Sequence, residues 1–533
     1  MMKSQIADAG SLEASAPLTK ESPATFAATR ALSNFHLFFL AALVFILPNA
    51  IFAAALRPAV AAVILAGCAG AAAILWRPRQ RSALLSAPID FALLAISLSL
   101  GVALCMLGGE GHIFYATTDW LIRDAVLSDL VRNGLTVLYR YEGQDYLLRA
   151  PLGMYMIPAV VGRLWGLYAA HMALLAQNAL ILGTIAYFTA QVANVRKTPF
   201  LLLLIAFSGL DIVPILFAEA VEMSNGRPFM PFTHIEWWGE YYSTIRLQYS
   251  AHITQLFWVP NHMAPGWWFG LLSLLYVRRE VDLSTVMVSF AALLMWSPLA
   301  MMGAAPFVAL FALEMLPKRI FAPGIFAAAA IGLCFLPIAL YLTTDAGAVP
   351  NELLLLREGY WLRFVLFLAV EIPQAAIVLY AWNKVQPEDR RILALSLALL
   401  LVIPFYSVGV SNDFVMRVSI PPLFLLAYAF ARIAVLTPRD DSAFPTAISV
   451  IVILSVATPL LEIKQALRQT FAISDCNMLT GWHKGDPSVL PTNYWARVEK
   501  IPGWLMSTQG ANALTLEDRK CWPDHPFLQD HMK

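Results

Sequence analysis

Apolar runs too long for a water-soluble core dominate this chain, as in LFFLAALVFIL, PAVAAVILAGCAGAAAILW and ILALSLALLLVIPF. A helix crosses the hydrocarbon of a bilayer in about 20 apolar residues, and runs of this kind are the signature of such crossings. Charge is correspondingly scarce. Only 13% of the 533 residues are charged and 59% are hydrophobic, where a soluble domain carries about 25% charged residues. The remaining charge cannot cover a water-facing surface. The net charge of +1, from 36 Lys and Arg against 35 Asp and Glu, excludes the basic footprint of a nucleic-acid binder. The expectation is an all-α polytopic membrane protein, and the 63 Phe, Trp and Tyr residues suit interfacial belts.

Thirteen segments read as spans: 37–56, 58–76, 90–108, 169–192, 198–216, 263–277, 282–296, 298–316, 321–342, 361–382, 392–408, 419–436 and 442–462. Residues 1–35 lack an apolar signal core and read as a disordered cytoplasmic leader. They precede a membrane domain over 36–463 and a polar tail over 464–533. With the N-terminus inside, every short-loop basic cluster falls on the cytoplasmic side. These are Arg77, Arg79 and Arg81; Arg196 and Lys197; Arg278 and Arg279; Lys318 and Arg319; Lys384, Arg390 and Arg391; and Arg439. The assignment implies a multi-pass plasma-membrane protein, of the bacterial inner-membrane kind, with its tail outside. Counting 151–166 as a span would reverse every later cluster, so this segment reads as an outer interfacial helix anchored by Tyr155 and Trp165.

Two long outer connections, 109–168 and 217–262, and two shorter ones, 343–360 and 409–418, carry the polar chemistry. Eight of the nine histidines, all but His36, lie on or near this outer face. In the tail, Cys476 and Cys521 stand 45 apart. They would form a disulfide outside the cytoplasm, or remain two free thiols. Cys68, Cys105 and Cys334 lie in apolar runs and read as small hydrophobes.

In DWLIRDAVLSDL, Asp119 and Arg123 are four apart and share a helix face, with Asp124 beside them. Asp119 is either the N-cap of an amphipathic helix or a carboxylate at the membrane mouth, available as a general base. Asp211 ends the apolar run of SGLDIVP, and His234, Glu236, His252 and His262 follow among five Trp and three Tyr. Histidine and carboxylate are ordinary metal ligands, but no tight motif such as HExxH occurs. An aromatic, polar cleft suits a sugar or a lipid headgroup. An interfacial aromatic belt accounts for the same residues. Asp413 and Arg417, again four apart, form an ion pair at the boundary or leave Arg417, with Arg149, to grip an anionic headgroup.

The pattern resembles the GT-C superfamily of membrane glycosyltransferases, nearest the aminoarabinose and protein-mannosyl transferase branch. The likeness lies in the outer-loop aspartate of TTDWLIRDAVLSDL, the helix after it, and YLLRAPLGMYMIPAVVGRLWGLYAAHMALLAQNALILGTI. The last segment is similar to the branch's Lys-Pro-Pro-Leu stretch and the span that follows it. The chain has Asp-Trp where the branch carries Asp-Glu, and a single Pro after Arg149. SGLD, VPNHMAPGW and NDFVMR are similar to segments of bacterial membrane proteins of the same superfamily.

The resemblance implies a GT-C-like bundle and inverting transfer of a sugar from a polyprenyl-phosphate donor in the bilayer to a lipid, glycan or protein acceptor. Asp119 would be the base. Arg149 and Arg417 would hold the donor phosphate, with Arg123, Asp124 and Asp413 in support. Asp211, His234, Glu236 and His262 would line the acceptor side or hold a divalent metal ion. The rival classes are a transporter or flippase of a lipid-linked saccharide and a polysaccharide polymerase or ligase. A transporter should place ionisable residues at mid-span, whereas nearly all of these sit at outer ends.

Overall fold

The computed structural model describes residues 32–77, 82–228, 234–239, 245–315, 322–409, 411–438, 442–468, 476–485, 490–508, 511–518 and 521. The leader up to residue 31, and Arg79, Arg81, Lys318, Arg319 and Arg439, lie outside them. Of the described residues, 71% are helical and 5% lie in strands.

The first helices are α1 (Asn34–Phe52), α2 (Pro58–Leu75), a one-turn α3 (Ala83–Ser86), α4 (Phe91–Leu107) and α5 (Asp119–Asn133). Then come α6 (Gly153–Trp165), α7 (Leu167–Ala193), α8 (Lys197–Ile205) and α9 (Ile212–Ser224). Among the described residues, the thirteen apolar segments fold as helices or broken helix pairs, except that 392–408 ends in a short strand at Tyr406–Val408. Among the described residues, six helices are long and apolar enough to cross a membrane: Asn34–Ala55, Pro58–Leu75, Leu167–Ala193, Pro298–Met315, Pro323–Ala348 and Ala443–Ala466. A seventh crossing arises if Tyr360–Glu371 and Gln374–Tyr380, bent by 74° at Ile372–Pro373, count as one. Phe91–Leu107, Leu283–Leu293 and Ile420–Leu436 are apolar but shorter. Segment 198–216 is not one helix. It breaks between α8 and α9 at Ala206–Asp211.

Burial separates two kinds of apolar helix. In Pro260–Val277 every residue but Tyr276 is buried, so this helix is surrounded by protein. Ala443–Ala466 instead points Val450, Ile453 and Leu460 outward, with Ile453 68% exposed. Such a face is stable against hydrocarbon and costly against water. The interior helices approach through small residues. A methyl at Gly101 of α4 would come within 2.6 Å of the Ala179 carbonyl of α7, and one at Gly183 within 2.9 Å of the Leu98 Cα. Backbone-to-backbone contact of this kind is how helices associate where no water drives them together.

Segment 151–166 is the 13-residue α6. Trp165 is exposed, as an interfacial anchor should be, but Tyr155 is buried and faces the bundle.

The expectation of purely helical structure misses a four-stranded sheet. A hairpin between α5 and α6, β1 (Leu138–Tyr141) and β2 (Gln144–Leu148), turns at Glu142 and Gly143, both with positive φ, the two-residue geometry that matches strand twist. Strands β3 (Asn351–Leu353) and β4 (Tyr406–Val408) form a separate antiparallel pair. From the tail, β5 (Trp495–Arg497) adds antiparallel to β2 and β6 (Ala513–Leu514) parallel to β1. The tail therefore docks on the hairpin between α5 and α6, and it contains the disulfide Cys476–Cys521.

Charges at the other helix ends interlock. Arg278, ending Pro260–Val277, bonds Asp389 at 2.6 Å. Arg432 donates to the carbonyls of Ala193 and Lys384, and Lys197 pairs with Asp90. Helices Pro260–Val277 and Ile420–Leu436 thus have their C-termini in this basic network and their N-termini at the cleft described next.

Candidate functional site

The cleft sits where four separate stretches of chain meet, and each is held by a specific contact. Helix α5 begins at Asp119, and Trp120 donates its indole N–H to the Phe257 carbonyl at 2.9 Å. That bond sets Asp119 beside Trp258. The turn before Asp413 is shaped by Gly409 and Asn412, both with positive φ, and Asn412 donates to the Arg246 carbonyl. The tail supplies Thr492 through Tyr494.

The resulting cavity holds about 380 Å³ and is lined by Asp119, His234, Asp413 and Arg417 together with aromatic side chains. Its size falls in the range of small-molecule sites, roughly 300–1,000 Å³. Trp237 and Trp258 form one aromatic wall, their ring centroids 6.0 Å apart, and Trp482 with Tyr494 forms another at 6.1 Å.

Two aspartate–arginine pairs face this space. Asp119 lies 3.3 Å from Arg123, and its side chain is 39% exposed while that of Arg123 is buried. Asp413 and Arg417 meet at 2.7 Å. Thr118, not Asp119, occupies the N-cap of α5, and Asp119 caps nothing. The carboxylate is left with a loose ion pair and an open face.

Arg149 is elsewhere. Its guanidinium is buried behind the cleft wall and donates to the Thr492 carbonyl at 2.6 Å and, at 3.5 Å, to those of Leu342, Asn493 and Trp495. These carbonyls use the donors that the resemblance assigns to phosphate, so Arg149 shapes the wall and does not line the cavity. Burial also pulls its ionisation below the ordinary arginine range.

His234 borders the cavity and belongs at the same time to a buried acidic group. Its Nδ1 lies 2.6 Å from Glu462, whose other oxygen accepts the Trp258 indole N–H. Glu236 is 3.9 Å from His234 Nε2 and accepts bonds from Gln248, the Ala251 N–H and Thr254. Burial pushes the Glu236 carboxyl up to about 8, opposed by the charge of His234. Burial alone would lower His234, but its bond to Glu462 holds it above the usual imidazole value. Asp211 is buried and accepts from Ser208 and Thr458. His262 is buried against Ser297, 2.6 Å from its hydroxyl, within the fields of Arg417 and Arg123.

His234, Glu236 and His262 therefore do not converge as a metal set. Among the described residues, three ligand-type atoms converge at His112, Asp124 and His171. Asp124 faces away from the cleft, into that cluster.

Sequence reasoning passed over Glu371, Glu462, His112, His171 and the tail residues Trp482, Thr492 and Tyr494. For the first two a signal existed, since a carboxylate inside an apolar segment is costly unless used or paired. Glu371 accepts the Trp238 indole N–H at 3.0 Å.

Comparison with protein families, curated proteins and solved structures returns no match to this chain.

Proposed function

We propose that this chain is a membrane glycosyltransferase of the GT-C type, which moves a sugar from a polyprenyl-phosphate donor to an acceptor hydroxyl on the outer face. The supporting observation is the cleft that gathers an accessible carboxylate, Asp119, with Arg417 and two aromatic walls. Sugar rings present C–H faces that stack on such walls and hydroxyls that need polar partners. Donor phosphate needs fixed positive charge near the bond that breaks.

In this reading Asp119 accepts the acceptor's hydroxyl proton as the oxygen attacks C1. The C1–O bond to phosphate breaks, the configuration at C1 inverts, and polyprenyl phosphate departs with the electron pair. Arg417, with five N–H donors of which Asp413 uses a part, stabilises the growing charge on the phosphate. Arg123 orients Asp119 through their ion pair. Arg149 contributes by holding Thr492 to Trp495 in the wall.

The thirteen apolar helical segments belong to this reading as thirteen crossings, with the N-terminus cytoplasmic and the tail outside. Two observations support that topology. The tail is joined to the first outer connection by the four-stranded sheet, and the disulfide Cys476–Cys521 suits an oxidising compartment.

Turnover tests the function. Purified chain in lipid vesicles, given a radiolabelled polyprenyl-phosphate sugar, should transfer label to an acceptor and release polyprenyl phosphate. No turnover with any such donor, alongside saccharide movement across the vesicle membrane, would favour the flippase. The 74° break directly after the buried Glu371 is the feature that fits that second reading.

A further inference from the structure

The geometry points to a site for a divalent transition-metal ion of the zinc class, built from His112, Asp124 and His171. This inference is independent of the transferase reading, and neither stands or falls with the other.

The ligand atoms come from three elements. His112 lies in the short turn after α4, Asp124 on α5 and His171 in the second turn of α7. His112 Nε2 is 3.2 Å from His171 Nδ1 and 3.3 Å from Asp124 Oδ1, and His171 Nδ1 is 3.7 Å from the same oxygen. A tetrahedral ion with bonds of about 2.0–2.1 Å spaces its ligand atoms by about 3.3 Å. The triangle fits one face of that tetrahedron. The imidazole planes cross at 78°, so the rings do not stack.

What the carboxylate of the cluster lacks is a hydrogen-bond donor. The Asp124 side chain is 1% exposed. Neither of its oxygens receives a hydrogen bond among the described residues. A buried carboxylate without donors is costly, and a bound ion is one of the standard reasons that such a group persists. Two imidazoles and one carboxylate form an ordinary zinc-class donor set, with a fourth position left over.

The surroundings brace the ligands. His112 has φ +56 and follows Gly109 and Gly111 at φ +94 and +75, and its side chain at the end of this turn is buried. Asn178, two turns along α7 from His171, donates to Glu110 at 2.9 Å and ties the same turn to α7. Bound here, the ion would staple α5 to the ends of α4 and α7. Asp119, at the start of α5, would be held at the cleft by that staple. His112, Asp124 and His171 are therefore assigned as ligands, and the ion's role is to position α5.

The test uses the full chain in detergent, stripped with a chelator and titrated with Co2+ alone. One equivalent should bind and give the intense visible absorption of tetrahedral cobalt, which Zn2+ then displaces. His171→Gln and Asp124→Asn should each weaken uptake about tenfold or more, while His483→Gln, in the tail, should bind as the wild type does. Uptake unchanged in His171→Gln, or no stoichiometric uptake by the wild type, overturns the site. X-ray absorption of zinc-loaded wild-type protein needs no variant. Two imidazole nitrogens and carboxylate oxygen in the first shell are expected, and an all-oxygen or sulfur shell would contradict the assignment.

Discussion

Asp119 and Asp124 stand five residues apart on one helix and live in different solvents. Asp119 is 39% exposed in the cleft beside Arg123, whereas Asp124 is 1% exposed against two histidines. A third carboxylate, Asp129, is buried where the tail docks, accepting the Tyr139 hydroxyl at 2.7 Å and the Met478 N–H at 2.8 Å. Each step of five residues turns an α-helix by about 140°, so the three acids face three separate environments. Identical side chains thus meet an open cleft, a pair of histidines and a buried hydrogen-bonded niche from helix phase alone. The lesson is that an acid's role on α5 follows from its direction and not from its neighbours in sequence.

The sharpest way to break this contrast is at its exposed end. Asp119→Asn should lower sugar transfer by about 10²–10⁴-fold, because an amide cannot take the acceptor's proton. The melting temperature should stay near the wild-type value, since Asp119 makes one loose ion pair. A variant equally damaged in melting and turnover would make Asp119 structural, like Asp129.

The buried end is tested through the tail. Replacing Cys476 and Cys521 by Ser opens a loop of 45 residues, which should cost about 4 kcal/mol by chain entropy. Thiol labelling of the wild type should require reduction first. Labelling of both cysteines without reduction would remove the disulfide and leave Asp119 untouched.

Arg149→Ala should free the tail strand it clips. Losing bonds from a buried guanidinium to several carbonyls should cost about 3 kcal/mol, seen as faster hydrogen exchange at residues 493–497 with no donor present. Unchanged exchange there, with donor affinity reduced, would return Arg149 to the phosphate-binding role.

The smallest effect is a slope. Burial pushes the Asp129 carboxyl up to about 7, although the Met478 N–H and the Tyr139 hydroxyl favour its charged form. Folding therefore favours the protonated acid. Its contribution is complete below the unfolded value near 4, declines as pH rises toward 7, and is flat beyond. Asp129→Asn should remove that decline from the melting temperature measured between pH 4 and 8. Parallel profiles for variant and wild type would contradict it.

Much of this organisation was legible in the linear chain. Apolar runs marked most of the long helices, and the four-residue spacing of Asp119–Arg123 and Asp413–Arg417 placed on shared helix faces two pairs that the structure joins. Helix-internal patterns survive in sequence because their partners are local. Long-range partners left no such trace. Strands β5 and β6 have three and two residues, too short for any alternation to show. The surroundings of Arg149 are supplied by residues 343–346 positions away or, at Leu342, 193. His112 and His171 are 59 apart, far outside metal-motif spacing, and only the close packing of α4 against α7 brings them together. Tyr155 suited an interfacial anchor by type, but its position on α6 turns it inward.

The most direct test of the central claim is an experimental map of the chain in lipid with a bound polyprenyl-phosphate sugar. Arg417 should touch the phosphate, with C1 of the sugar opening toward Asp119 between the Trp237–Trp258 and Trp482–Tyr494 walls. A donor bound with its phosphate away from Arg417, or with the sugar outside this cleft, would contradict the account.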